Sequence, residues 1–94
     1  MQTTKVQGHN NRHSVLLYAL STCGWCKKTK QLLIDNNIEF EYIDVDICND
    51  EDYGKIEKDI SDRGGRFSFP TIIIDNIHLI TGFKEEEIRK FLEI

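Results

Sequence analysis

Two cysteines three positions apart are the residues of this chain whose type and spacing best fit a chemical reaction. Cys23 and Cys26 enclose Gly24 and Trp25, so the four residues form a CxxC motif. Side chains three residues apart lie on one face of a helix, and a second thiol there can reach a disulfide formed at the first. The spacing predicts a dithiol that exchanges with a substrate disulfide and carries electrons in pairs.

The motif lies where an apolar run ends and a helical pattern begins. Residues 14–20 form a short apolar run, which is typical of a strand covered on both faces. Apolar residues then recur at helical spacing over residues 23–36. Unpaired N–H groups and the positive end of the dipole meet at a helix N-terminus, and both favour a thiolate there. We therefore expect Cys23 to attack and the more shielded Cys26 to resolve.

The remaining elements are predicted from apolar periodicity and turn residues. They are a strand at residues 38–47, a helix capped by Asn49 or Asp50, a loop at residues 63–66, a strand at residues 71–74 opened by Pro70, a turn at residues 75–76, a strand at residues 77–80 and a final helix beginning near Glu85. The order β-α-β-α-β-β-α predicts an α/β fold, with a mixed four-stranded sheet flanked by helices.

The first thirteen residues do not fit this pattern. Residues 1–13 contain one internal apolar residue, Val6, among polar side chains. Such a segment buries too little apolar surface to offset the entropy lost on ordering. We therefore expect residues 1–13 to form a flexible tail and residues 14–94 to form one domain.

Charge and cysteine content exclude several classes of protein. The formal net charge of −4 argues against nucleic acid as a partner, because nucleic-acid binding requires a concentrated basic face. No apolar stretch is long enough to cross a bilayer, and no signal-peptide pattern is present. Three cysteines with one close pair do not resemble a secreted disulfide framework. A cytoplasmic monomer without a membrane partner is the expectation.

Residues 18–28 resemble the active-site segment of glutaredoxins and glutaredoxin-like redoxins. Phe69-Pro70-Thr71 is similar to the family's segment around a cis-proline, and Thr81-Gly82-Phe83 occupies the place of its glycine motif. The resemblance covers about residues 14–94. It implies a thioredoxin-like fold in which the four predicted strands, numbered along the chain, lie in the order 2-1-3-4. It also implies catalytic and substrate-binding roles for a set of seven residues: Cys23, Cys26, Trp25, Phe69, Pro70, Gly82 and Phe83.

The chain departs from the common glutaredoxin pattern at two places. Gly24-Trp25 stands where many members carry proline and tyrosine. Residues 81–85 keep one glycine and one acidic residue, where many members bind glutathione through a double glycine and an acidic pair. The Gly82-Phe83 pair resembles redoxins that take electrons from thioredoxin reductase and deliver them to ribonucleotide reductase. Glutathione, as a co-substrate and not a tightly bound cofactor, and thioredoxin reductase are thus both candidate reductants.

The resemblance implies a thiol–disulfide oxidoreductase that reduces protein disulfides or glutathione mixed disulfides. Gly24 also raises an alternative, a glutathione-dependent iron–sulfur cluster carrier, because members without proline at this position more often hold clusters. A structural zinc site is a further alternative, with Cys23, Cys26, Cys48 and His78 as ligands, although no second CxxC or HxxxH pair is present. We expect no bound metal, and we expect Cys48 to act as a small buried hydrophobe.

Overall fold

A computed structural model describes residues 1–94, which form five strands and three helices. In chain order the elements are β1 (Thr4–Val6), β2 (Val15–Ala19), α1 (Gly24–Asp35), β3 (Phe40–Asp44), α2 (Asp50–Asp62), β4 (Thr71–Ile74), β5 (His78–Thr81) and α3 (Glu85–Leu92), with a short 3-10 turn at Val45–Ile47. No helix has the length and apolar content needed to cross a membrane.

The strands form one mixed sheet in the order β1-β3-β2-β4-β5. β2 pairs in parallel with β3 and antiparallel with β4, and β4 pairs antiparallel with β5. The predicted order of the four strands over residues 14–94 is therefore confirmed. β2 is central, and its Leu17, Tyr18 and Ala19 are fully buried, as an apolar run without alternation predicts.

The sheet has a fifth strand, so the prediction of four strands is wrong. β1 lies within the segment that we expected to be a flexible tail, and it pairs antiparallel with β3 through Thr4 opposite Tyr42 and Val6 opposite Phe40. Asn10 continues the attachment, because its N–H donates to Asn37 and its carbonyl accepts from Glu39, both at 2.9 Å. Backbone pairing of this kind needs few apolar side chains, and composition therefore did not reveal it.

A set of paired charges fixes the end of the same segment, and we call it the polar latch: Arg12, His13, Asp75 and Glu93. Nδ1 of His13 lies 2.7 Å from Asp75 Oδ2, and its Nε2 lies 3.1 Å from Glu93 Oε2. Arg12 donates to the same Glu93 oxygen at 2.8 Å. The two hydrogen bonds raise the pKa of His13 above its ordinary value, with that to Asp75 contributing most.

The core has one cluster on each face of the sheet. Leu17, Phe40 and Ile72 pack with residues of α1 and α3 such as Leu33 and Ile88. The neighbouring strand residues Tyr18, Ile43 and Ile73 pack instead with Ile56 and Ile60 of α2. This alternation follows from the two-residue period of a strand, and it places α1 and α3 on one face and α2 on the other.

Element boundaries differ from the predictions by a few residues. The strand predicted at residues 38–47 is shorter, because its last three residues form the 3-10 turn. α1 begins at Gly24, with Cys23 as its N-cap. Asn49 caps α2 as expected, since its side chain accepts a hydrogen bond from the Asp52 N–H.

Candidate active site

Cys23 occupies the N-cap of α1, directly after the loop that follows β2. Its Sγ accepts a hydrogen bond from the Cys26 N–H at 3.2 Å. The first turn of α1 contains no acidic residue, so no carboxylate there offsets the positive end of the helix dipole. The strand-to-helix junction thus gives the half-buried Cys23 sulfur a hydrogen-bond donor at the end of the helix that favours negative charge.

Cys26 lies one turn inside the helix and is fully buried. Its Sγ accepts from the Leu20 N–H at 3.5 Å. Burial first, and then the hydrogen bond with Cys23, raise the pKa of Cys26 to about 12. Cys26 is therefore a neutral thiol at physiological pH, and neither it nor Cys23 is in a disulfide in this structure.

The structure brings together all five residues expected to contact substrate. Trp25, Phe69, Pro70, Gly82 and Phe83 line one cleft of about 260 Å³, which we call the aromatic cleft. The rings of Trp25 and Phe83 stack with centroids 5.7 Å apart, and Trp25 keeps 57% of its surface exposed. Their role in substrate binding stays a prediction, but their placement beside the CxxC motif agrees with it.

Two backbone features shape the aromatic cleft. The bond between Phe69 and Pro70 is cis, as the resemblance implied. Gly82 has a φ of +89°, which a residue with a side chain rarely adopts, and its N–H donates to the Pro70 carbonyl at 2.7 Å. Glycine at position 82 thus lets the chain leaving β5 turn back onto the proline segment ahead of β4.

A carboxylate that sequence reasoning missed fixes the loop ahead of Cys23. Asp46 accepts from the Ser21 N–H at 2.8 Å and from the Ser21 hydroxyl at 2.5 Å. These bonds lower the pKa of Asp46, the hydroxyl contributing most. The two residues are 25 positions apart and in different elements, so no local sequence signal pointed to the pair.

Two cations also lie around the site. Lys28 Nζ is 4.6 Å from the centre of the Trp25 ring. Lys30 Nζ lies 3.1 Å from Asp44 Oδ1 at the end of β3 and 4.1 Å from the centre of the Tyr42 ring. Of these lysines, Lys28 contacts a residue that lines the aromatic cleft, whereas Lys30 pairs with residues of β3.

The candidate zinc ligands are not gathered into one site. The Cys48 thiol donates to the Val45 carbonyl at 3.3 Å, and burial, ahead of nearby Asp52, raises its pKa. His78 stacks on Phe91, with ring centroids 4.2 Å apart. Across residues 1–94 no group of three or more histidine, cysteine or acidic side chains is placed to hold a metal ion.

Comparison with known proteins agrees with the geometry of this site. The family model described as glutaredoxin matches residues 15–79. Glutaredoxin 1 of Rickettsia felis is 39% identical over 67 residues, which cover 71% of this chain and 63% of that protein, so the match spans just under two thirds of the relative's length. An uncharacterized glutaredoxin-like 8.6 kDa protein from the rubredoxin operon of Clostridium pasteurianum is 37% identical over 79 residues, covering 84% of this chain and 97% of that one.

Two solved structures resemble the whole chain. One is described as the glutaredoxin from Methanosarcina mazei Go1, with a TM-score of 0.89 and 39% identity, covering 100% of this chain and 90% of that one. The other is methanoredoxin from Methanosarcina acetivorans, with a TM-score of 0.88 and 40% identity, covering 100% of this chain and 97% of that one. The alignments over the whole chain include the segment that carries β1.

Proposed function

The chain belongs to the glutaredoxin family, and we propose that it reduces disulfides of proteins, or mixed disulfides of proteins with glutathione, by a dithiol mechanism. One observation carries the proposal. Cys23 lies half-buried at the N-cap of α1 beside the aromatic cleft, and the fully buried Cys26 lies one turn further, with its N–H donating to the Cys23 sulfur at 3.2 Å. An accessible attacking sulfur and a shielded resolving thiol are what dithiol exchange requires.

The proposed thiol–disulfide exchange has two steps. The Cys23 thiolate attacks one sulfur of the substrate disulfide, a bond forms between Cys23 and that sulfur, and the other substrate sulfur leaves and takes up a proton. Cys26 then loses its proton and attacks the Cys23 sulfur, releasing the second substrate thiol. The protein ends with a Cys23–Cys26 disulfide, and the substrate has gained two electrons and two protons.

The high pKa of Cys26 has a role in this order of events. A thiol with a pKa of about 12 carries almost no thiolate at neutral pH, so it does not compete with Cys23 for the incoming disulfide. Resolution requires transfer of its proton, and the leaving thiolate of the substrate is the natural acceptor. The burial that raises the Cys26 pKa therefore separates the two steps.

The aromatic cleft is the proposed binding place for the chain that carries the disulfide. Its rings offer apolar faces, and the N–H and C=O of Phe69 make no hydrogen bond within the chain. An extended polypeptide binds such a segment through its own peptide groups, as if it added a strand. Trp25 and Phe83 would then cover side chains next to the reacting cysteine.

The proposed reductant is glutathione or thioredoxin reductase, and one experiment separates them. The oxidised protein is treated either with reduced glutathione alone or with thioredoxin reductase and its nicotinamide reductant, and intact mass reports the return of two hydrogens. Reduction by glutathione would make the protein a working glutaredoxin despite its single glycine at residues 81–85. Reduction only by the reductase would favour electron delivery to enzymes such as ribonucleotide reductase, in a reducing compartment such as the cytoplasm.

The proposed function is tested by the reaction of the reduced protein with a small disulfide. Reduced protein is mixed with bis(2-hydroxyethyl) disulfide, and the mass should fall by two hydrogens as the Cys23–Cys26 disulfide forms. A protein that stayed fully reduced in excess disulfide would contradict the proposed function. The cluster-carrier alternative stays a prediction, and a colourless preparation after anaerobic reconstitution with iron and sulfide would count against it.

A further inference from the structure

Aromatic contacts continue outward from the aromatic cleft along one side. The Phe69 ring, which lines the cleft, meets the Phe67 ring edge to face with centroids 5.0 Å apart. Phe67 in turn meets Tyr53 of α2 edge to face at 5.3 Å. Phe67 is 38% exposed and Tyr53 is 42% exposed. We call these three residues the aromatic strip, and it leads from the CxxC motif to the surface of α2.

Two of the three residues of the aromatic strip also have backbone groups without a hydrogen-bond partner. The N–H and C=O groups of Phe67 and of Phe69 make no hydrogen bond within the chain. Peptide N–H and C=O groups need hydrogen-bond partners. Another polypeptide supplies backbone donors and acceptors together with side chains that can contact the rings. Between α2 and this segment, Arg66 is exposed and forms no ion pair. The combination of open rings and open peptide groups fits a polypeptide better than a small apolar molecule.

The length of the aromatic strip defines which residues of a substrate it reaches. Its two steps, of 5.0 and 5.3 Å between ring centroids, extend at most about 10 Å past Phe69. An extended chain advances roughly 3.3 Å per residue, so about three residues cover that distance. A tripeptide seated in the aromatic cleft would leave Phe67 and Tyr53 uncovered, whereas a longer chain would cover them.

We propose that the aromatic strip is a docking surface for polypeptide disulfide substrates that carry an aromatic or large aliphatic side chain about three residues from the reacting cysteine. This inference rests on the proposed function and specifies its substrate. Trp25 and Phe83 serve every disulfide that enters the aromatic cleft. Phe67 and Tyr53 add a preference that small disulfides do not share.

The test uses synthetic peptides with a single central cysteine, four serines on each side, and oxidation to the disulfide-linked dimer. In eight further peptides one serine is replaced by phenylalanine at each position in turn. The second-order rate constant for oxidation of the reduced protein is measured with peptide in excess, by acid quenching and chromatography. The ratio of the rate constants for a phenylalanine peptide and the all-serine peptide gives the preference at each position.

The wild-type protein should prefer phenylalanine roughly threefold to tenfold at a position about three residues from the cysteine, on one side of it. Tyr53→Ser and Phe67→Ser should each reduce this preference to below about twofold, since one of its ring contacts is lost. Ile77→Ser is the matched control, because Ile77 is an apolar residue that is 73% exposed at the turn between β4 and β5. It should keep the full preference.

Each variant serves as its own reference, because the preference is a ratio measured on one protein. A wild-type protein that reacts with all nine peptides at equal rates would overturn the docking surface and leave the proposed function intact. A preference that survives in Tyr53→Ser and Phe67→Ser would also overturn it. A wild-type protein that reacts neither with the peptides nor with bis(2-hydroxyethyl) disulfide would overturn the proposed function itself.

Discussion

The residues at the two ends of β4 differ in whether their polar groups have partners within the chain. Before β4, Phe69 and Pro70 line the aromatic cleft, where the peptide groups of Phe69 make no hydrogen bond within the chain and more than half of Trp25 is exposed. After β4, Asp75 belongs to the polar latch, where His13 contacts both Asp75 and Glu93. The groups before β4 are available to bind another molecule. Those after β4 bind the N-terminal segment of the same chain. The comparison indicates that chemistry and fold stability can be changed separately in this protein.

The largest effect expected at the cleft end is the loss of the attacking sulfur. Cys23→Ser should lower the rate of disulfide reduction roughly a thousandfold or more, since the only other thiol near the N-terminus of α1, that of Cys26, is buried. Thermal unfolding should stay close to that of the wild type. Cys48→Ser is the matched control, and its rate should match the wild type. A Cys23→Ser protein that reduced disulfides at the wild-type rate would show that the chemistry does not depend on the cleft end.

The largest loss of stability is expected from a steric clash in the N-terminal segment, which the polar latch holds. A Cβ on Gly8 would lie 2.4 Å from the Asn37 carbonyl oxygen and 2.6 Å from the Glu39 nitrogen, both of which are backbone atoms. Gly8→Ala should therefore destabilise the fold by about 1–3 kcal/mol, with the rate of disulfide reduction kept.

Gly54→Ala supplies the control for this change. Gly54 lies inside α2 with nothing within 4 Å of an added Cβ, so alanine should stabilise the fold by about 0.5–1 kcal/mol. Urea unfolding followed by circular dichroism measures both variants. Equal effects of the two substitutions would show that residues 1–13 do not pack as the structure has them.

A smaller effect is expected from the rim of the aromatic cleft. Trp25→Ala removes the ring stacked on Phe83 and should raise KM for polypeptide disulfides roughly twofold to tenfold. Its stability should change little, because more than half of Trp25 is exposed. Ile34→Ala, at an exposed apolar position of the same helix, should leave KM unchanged. Steady-state kinetics on one peptide disulfide would separate these outcomes.

The smallest effect is expected from the polar latch, and it depends on pH. Because the folded state raises the pKa of His13, the associated stability is fully present below the ordinary value of about 6.5 and is lost as pH rises through the raised value. Asp75 has a lowered pKa, mainly through the His13 hydrogen bond, so its contribution is present above 3.8 and is lost as pH falls through the lowered value.

His13 and Asp75 therefore contribute their full stability together only between about pH 4 and 6.5. Solvent screens a pair at the surface, so the expected loss of stability above this window is small. Urea unfolding midpoints at pH 5.5 and 8.5 measure it in wild type and in His13→Gln. The variant should lose the difference between the two pH values, and an unchanged difference would assign the pH dependence to other groups.

The sequence predicted the order of the elements over residues 14–94, and the resemblance to glutaredoxins predicted which residues gather beside the CxxC motif. Apolar periodicity located the central strand and the three helices, and the resemblance placed Trp25, Phe69, Pro70, Gly82 and Phe83 around one place, where the structure has them. The strands and helices depend on contacts between apolar side chains, which leave a periodic pattern in the sequence.

Features held by polar atoms left no such pattern. β1 is attached mainly through backbone hydrogen bonds, which any residue makes. The pairing of Ser21 with Asp46 and of His13 with Asp75 joins residues 25 and 62 positions apart. Such pairs cannot be identified in the sequence before the fold is known. The low apolar content of residues 1–13 therefore indicated a tail, where the fold has an edge strand.

The most direct test of the central claim is to stop the reaction after its first step. Cys26→Ser protein, reduced and mixed with the all-serine peptide dimer, should accumulate a stable adduct whose mass equals the protein plus one peptide, less two hydrogens. Digestion and mass spectrometry should place the peptide on Cys23, because the variant lacks the thiol that would release it. No adduct, or an adduct on Cys48 in preference to Cys23, would contradict the assignment of Cys23 as the attacking residue.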